Sequence, residues 1–173
     1  KQSLLMKNNK AYLELLFNFF ADLIAIRTRS HRFHPLITNF YVTKLCNLKC
    51  RYCYPPGDEP SMETSLALSL LEKIRPHNPV INFTGGEPLL YPGLHLLIKK
   101  AKELRFHPII LSTNGLLIDK IIDDLDLVDH LVISLDSLCE GINDDLSGVN
   151  GITRDVIKNI NRCSILSREK GFH

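Results

Sequence analysis

Three cysteines fall within eight residues, Cys46-Asn47-Leu48-Lys49-Cys50-Arg51-Tyr52-Cys53. Thiolates gathered this closely are first of all candidate metal ligands, and three is one fewer than a cubane iron–sulfur cluster normally takes. A cluster held by Cys46, Cys50 and Cys53 keeps one iron open to a further ligand, as catalytic zinc keeps an open position that structural zinc lacks. The spacing C-x3-C-x2-C differs from the C-x2-C-x2-C of bacterial ferredoxins and the C-x4-C-x2-C of plant ones. It also lacks the paired C-x2-C units of zinc sites. An open-iron cluster, a zinc site and an electron-transfer centre all remain readings of the cysteines alone.

Gly85-Gly86-Glu87-Pro88 is the second feature with chemistry in it. Glycines let the backbone approach a ligand closely, and a Glu carboxylate accepts charge-assisted hydrogen bonds from an ammonium group. A plain glycine-rich turn into a helix is the alternative. Ser112 and Asn114, in Ser112-Thr113-Asn114-Gly115, offer polar groups after a strand, and the same residues make an ordinary turn with Asn able to enter the left-handed region. Ser134 and Asp136, in Ile133-Ser134-Leu135-Asp136, read in the same two ways. Cys139 and Cys163 stand apart from the motif, and a lone cysteine is most simply a small buried hydrophobe.

The elements that position these groups read as successive strand–helix units on a parallel sheet. Strands are expected at Phe40–Leu45, Val80–Phe83, Ile109–Leu111 and His130–Leu135. Helices are expected from an N-cap at Ser61 to Ile74, from Pro92 onward, and from Thr153 to Lys170. Pro55-Pro56-Gly57, Pro76 and Pro79 punctuate the turns. Each motif then follows the C-terminal end of a strand, the edge where parallel α/β folds bind their ligands.

The cysteine spacing with aromatic Tyr52 before the last cysteine, followed one unit later by GGEP, resembles the radical S-adenosylmethionine (radical SAM) superfamily. The resemblance runs from Phe40 to the C-terminus. It implies an α/β fold, a partial (βα) barrel of radical SAM type with about four units present, and a [4Fe-4S] cluster ligated by Cys46, Cys50 and Cys53. S-adenosylmethionine would occupy the open iron, with Tyr52 near the adenine and Gly85, Gly86, Glu87 and Pro88 along its methionine end. Ser112 and Asn114 would face the ribose or the methionine carboxylate, and Ser134 and Asp136 the ribose or the substrate. The implied activity is reductive cleavage of SAM to a 5′-deoxyadenosyl radical that abstracts hydrogen from a peptide, lipid or small-molecule substrate. An electron donor such as flavodoxin or ferredoxin is implied as well. One departure stands out: Ser147 in Asn143-Asp144-Asp145-Leu146-Ser147-Gly148 occupies the place where relatives often carry an arginine. Two other classes stay open: an iron–sulfur protein for electron transfer or redox sensing, and an inactive truncated barrel serving as an interaction module.

Length and composition set the outer limits. The chain has 173 residues, 45% of them apolar, enough for one domain with a real core. A net charge of +2 gives no electrostatic case for nucleic acid. Five cysteines, three of them in one motif, do not resemble a disulfide framework, which argues for a reducing cytoplasmic setting. The N-terminus shows no secretory signal. Ala11 to Ile26 reads as a helix with Glu14, Asn18 and Asp22 on one stripe and apolar residues, Phe17, Phe19 and Phe20 among them, elsewhere. It is too short and too interrupted for a membrane span. Its apolar surface needs a cover, and the catalytic domain, a partner chain or a membrane interface reached peripherally are the candidates. The basic run Arg27, Arg29, His31, Arg32 and His34 follows, and residues 29–35 read as a linker. The expected division is a helix and basic linker over 1–35, then the barrel core over 36–173. The chain also reads as part of a longer polypeptide.

Overall fold

The computed structural model describes residues 2–27, 34–53, 60–170 and 172, apart from the side chains of 2–11 and 170. Four parallel strands, β1 (Thr38–Thr43), β2 (Ile81–Gly85), β3 (Ile109–Thr113) and β4 (His130–Ile133), lie side by side in chain order. Every connection is therefore a crossover in the same direction, the topology of a barrel wall. In register, Phe40 stands opposite Phe83, Phe83 opposite Leu111, and Leu111 opposite Leu131. Because side chains alternate along a strand, these residues share one face of the sheet. That face is the core, with Phe40 and Phe83 meeting edge to face at 6.1 Å between ring centroids.

Two helices cover it. α2 (Thr64–Ile74) buries Ala67 and Leu71, and α3 (Leu94–Glu103) buries Leu94, Leu97, Ile98 and Ala101. Each set recurs at three- and four-residue spacing, the stripe that a helix presents to a sheet. The opposite face is polar where the core face is apolar. Ser112 Oγ donates to Asn82 Oδ1 at 2.9 Å, and Asn82 Nδ2 donates to Asn39 Oδ1 at 2.9 Å. This ladder crosses β3, β2 and β1 on what is the inner surface of the partial barrel.

Several element ends differ from expectation. α2 starts at Thr64 with Glu63 at the N-cap, and Ser61 instead shares a 2.7 Å hydrogen bond with the Thr43 hydroxyl. α3 starts at Leu94, preceded by a 3-10 turn at Pro88–Leu90, so Pro92 lies ahead of the helix. β1 stops at Thr43 and β4 at Ile133, each two residues early, while β3 runs on to Thr113. Between β3 and β4 the chain makes 3-10 turns over Ile118–Lys120 and Ile122–Leu127. Ile118 and Ile121, then Ile122, Leu125 and Val128, repeat every three residues, and that period suits the 3-10 geometry. A helix absent from the sequence reading, α4 (Glu140–Ser147), precedes α5 (Ile152–Lys170). Cys163 is buried on α5, whereas Cys139 is exposed at the N-cap of α4 rather than buried.

The N-terminal helix, α1 (Gln2–Arg27), is oriented against the usual rule. Its polar stripe faces the protein: Glu14 pairs with Arg75 at 3.1 Å, and Asp22 accepts from the His34 backbone at 3.0 Å and lies 2.9 Å from His34 Nδ1. Among its described side chains Ala25 is the one buried hydrophobic residue, while Leu13, Phe17 and Ile24 are 63%, 73% and 64% exposed. Among its described side chains the apolar surface is thus largely exposed, and on one side Leu13, Leu16, Phe17 and Phe20 line an open groove with Arg75, Pro76, His77 and Pro79. Among the described residues no helix is long and apolar enough to cross a membrane. Arg29, His31 and Arg32 of the basic run, most of the expected linker, and Pro55-Pro56-Gly57 lie outside the described residues.

Phe83 has no exposed surface and sits at the centre of the sheet. Truncating it to alanine removes a ring that neighbours cannot replace, so Phe83→Ala should lower unfolding free energy by about 3–5 kcal/mol in denaturant titration.

Candidate functional site

The parallel sheet delivers four segments to one edge: the cysteine loop after β1, Gly85-Gly86-Glu87-Pro88 across the end of β2, Thr113-Asn114 after β3, and Ser134 to Asp136 after β4. The first two are locked together by backbone. Gly86 N donates to Thr43 O at 2.8 Å, and Glu87 N donates to Leu45 O at 2.7 Å. A Cβ on Gly85 would lie 2.3 Å from Thr43 O, and one on Gly86 2.4 Å from Leu45 O. Only glycine fits at either position. The close approach that these glycines permit is to the chain segment entering Cys46.

Glu87 is fully buried. Its Oε1 accepts from Leu89 N at 2.9 Å and Thr113 Oγ1 at 2.7 Å, and its Oε2 accepts from Asn114 N at 2.8 Å. Burial pushes its carboxyl up from the ordinary value, while these three donors pull it back. The carboxylate therefore joins the ends of β2 and β3, and its oxygens are met by the chain's own donors rather than held out toward a ligand. Pro88 is buried in the 3-10 turn that follows. Asn114 extends the junction, because its Nδ2 donates to Asn47 Oδ1 at 2.7 Å. Asn47 directly follows Cys46, so contacts organised by Glu87 flank that cysteine on both sides.

The cysteine loop is held at its other end by α4. Lys49 N donates to Ser147 O at 3.0 Å, and Arg51 N to Leu146 O at 2.9 Å. These carbonyls belong to the last turn of the helix, where they have no intrahelical partner. Gly148 closes α4 in the left-handed conformation (φ 70°), and a Cβ there would come within 2.7 Å of Lys49 O. Ser147, at the place of the expected arginine, is buried with its hydroxyl donated to Asp144 O. Arg51, on the same cysteine loop, pairs its guanidinium with Asp145.

The Tyr52 hydroxyl donates to Asp136 Oδ2 at 2.5 Å, tying the loop to the end of β4. That hydrogen bond to a carboxylate holds the phenol well above its usual range. Asp136 is placed in turn by its own N–H, which donates to Asn143 Oδ1 at 3.2 Å. Ser134 N donates to Thr113 O, leaving its side chain exposed. Ser112 lies apart from this junction, engaged with Asn82 on the inner face.

Cys46 and Cys50 are half-buried and Cys53 is exposed. Burial raises the Cys46 and Cys50 thiols, and the negative charges of Glu87, Cys50 and Cys53 raise Cys46 further. Cys50 and Cys53 thus stand near enough to Cys46 to oppose its ionisation, and a cationic centre is what would relieve the opposition. Among the described residues no three Cys, His, Asp or Glu side chains stand together as ligands of a single metal ion. A cubane makes a different demand, since it takes each thiolate on a different iron. A glycine-cradled loop, pinned by backbone hydrogen bonds and presenting three thiols, fits that demand.

The contacts missed from the sequence are Asn47, Thr113, Asn143 and the α4 clamp. One signal for the clamp was present: a glycine directly after Asp144-Asp145-Leu146-Ser147 is the usual left-handed stop of a helix.

The model of the radical SAM superfamily matches residues 40–169. The chain belongs to this superfamily, whose members use a [4Fe-4S] cluster and S-adenosylmethionine. Similar proteins include the GTP 3′,8-cyclase of Chlorobaculum tepidum, 37% identical over 107 residues, covering 56% of this chain and 32% of that protein. The Fe-coproporphyrin III synthase of Methanosarcina barkeri is 32% identical over 131 residues, covering 70% of this chain and 32% of that protein. Among solved structures, Streptococcus suis SuiB bound to S-adenosylmethionine matches with TM-score 0.63 and 26% identity, over 73% of this chain and 30% of that one. The chain spans about a fifth to a third of the length of the curated relatives it matches.

Glu87 provides a test through pH. Its folded-state pKa is raised by burial, so the folded protein binds the proton more tightly than the unfolded chain, and stability falls as pH rises through the folded pKa. Glu87→Gln should remove that fall. Denaturation midpoints of both proteins, measured from the ordinary carboxylate range upward, should converge at low pH relative to the offset seen at high pH.

Proposed function

We propose that this chain is the cofactor-binding part of a radical SAM enzyme in which Cys46, Cys50 and Cys53 hold a [4Fe-4S] cluster. The observation that carries the reading is the cysteine loop pinned by Gly85, Gly86 and Glu87 at the C-terminal edge of the sheet. When bound, the cluster and SAM supply reductive cleavage to a 5′-deoxyadenosyl radical that abstracts hydrogen from a substrate. The chain's own residues prepare that event. The Glu87 junction holds the backbone on both sides of Cys46, and α4 holds it between Cys46 and Cys53. Tyr52, Gly85, Gly86, Glu87, Pro88, Asn114, Ser134 and Asp136 surround the same edge, which supports assigning SAM to it. Ser112 begins the polar ladder toward the barrel interior, and its place favours the ribose end or the substrate.

A one-electron donor such as flavodoxin or ferredoxin is part of this reading, as is a cytoplasmic setting. So is a division into an N-terminal helix and linker, residues 1–35, and the barrel core, residues 36–173. The substrate class stays within peptide, lipid or small molecule. SuiB is known in complex with its precursor peptide SuiA, and the relatives above include nucleotide and porphyrin enzymes. The exposed apolar face of α1 favours peripheral contact with a membrane.

Electron paramagnetic resonance of the anaerobically reconstituted, dithionite-reduced protein tests the central claim. A cubane signal that changes on adding SAM is expected, and Cys46→Ala/Cys50→Ala/Cys53→Ala should abolish both the signal and SAM cleavage. A signal indifferent to SAM would point to electron transfer instead, and SAM cleavage by the triple variant would sink the assignment.

A further inference from the structure

We propose that the outward face of α1 seats on an anionic lipid surface. This deepens the peripheral-contact reading above and rests on it. At 100° per residue, Leu13, Leu16, Phe17, Phe19, Phe20, Leu23, Ile24 and Ile26 fan over about half of the helix circumference. Each is exposed, between 46% and 73%. A partner groove takes a narrow stripe at i, i+3, i+4 and i+7, too narrow for this arc. The acyl–headgroup boundary accepts the whole width, and aromatic side chains favour it.

Charge selects the kind of lipid. The two acids between Tyr12 and Arg27 are Glu14 and Asp22, and both are turned inward onto Arg75 and His34. The outward arc therefore carries Arg27 and no acid. Continuing along the sequence, residues 23–43 contain three Lys or Arg, namely Arg27, Arg29 and Arg32, and no Asp or Glu. An apolar arc finished by a cationic run complements anionic headgroups, each cation adding to the attraction. Placement agrees. α1 meets the barrel wall through Arg75 and through Tyr12 against His107, residues that lead into β2 and β3. Those are the N-terminal ends of the strands, so a seated helix leaves the cysteine edge clear.

Co-sedimentation with vesicles of phosphatidylcholine, alone or mixed with phosphatidylglycerol, decides the matter. The protein should partition onto phosphatidylglycerol vesicles roughly a hundredfold better at low salt, with the difference collapsing at high salt. Phe17→Glu/Phe20→Glu alters only exposed positions, so its circular dichroism should match the parent while binding to both vesicles is lost. Arg27→Gln/Arg29→Gln/Arg32→Gln should lose the phosphatidylglycerol preference alone. Equal partition onto both vesicles would overturn the charge inference and leave the peripheral contact standing. No binding to either would overturn both, as would a dimer in solution that the Phe17→Glu/Phe20→Glu variant splits.

Discussion

The candidate site depends on one buried carboxylate. Taking Glu87 out of water costs several kcal/mol unless donors meet its oxygens, and Leu89 N, Thr113 Oγ1 and Asn114 N offset part of that cost. Three donors on two different segments can converge only when the ends of β2 and β3 stand in one relation. The backbone of the same residue grips Leu45, and Asn114 grips Asn47. A single burial penalty, offset only in the correct arrangement, thereby fixes the chain on either side of Cys46.

Much of this was legible from residue order. Buried parallel strands read as short apolar runs, so all four strands could be located, and the cysteine and glycine motifs announced themselves by spacing. Strand ends were misplaced because Leu45 and Leu135 are apolar residues that have already left the sheet for the site. α4 was hidden for the opposite reason: Glu140-Gly141-Ile142-Asn143-Asp144-Asp145-Leu146-Ser147 has only two apolar side chains, and its work is done by carbonyl groups at its end. The role of Glu87 was half legible. A conspicuous acid beside two glycines suggests ligand binding, and nothing in the sequence reveals that Thr113 and Asn114 arrive from 26 and 27 residues away to take its oxygens. The facing of α1 was beyond reach, because periodicity identifies a polar stripe without saying which side meets the protein.

α4 is attached to the cysteine loop without a charged side chain at Ser147. The segment offers the carbonyls of Leu146 and Ser147 to the loop, and Gly148 makes room for Lys49. The Arg51–Asp145 pair adds little, since both partners are more than half exposed. Backbone contacts carry the attachment.

That last point separates what the cysteine motif can vary from what it cannot. Leu45 O, Lys49 N and Arg51 N are grasped as peptide groups, and peptide groups are common to nearly every amino acid. Side chains at Lys49 and Arg51 are thus free to drift over evolution, with proline excluded because it has no N–H to give. Inserting or deleting one residue would instead shift every later peptide group past its anchor. The interval between the cysteines is a ruler cut in backbone units, which makes it legible across sequences that share little else.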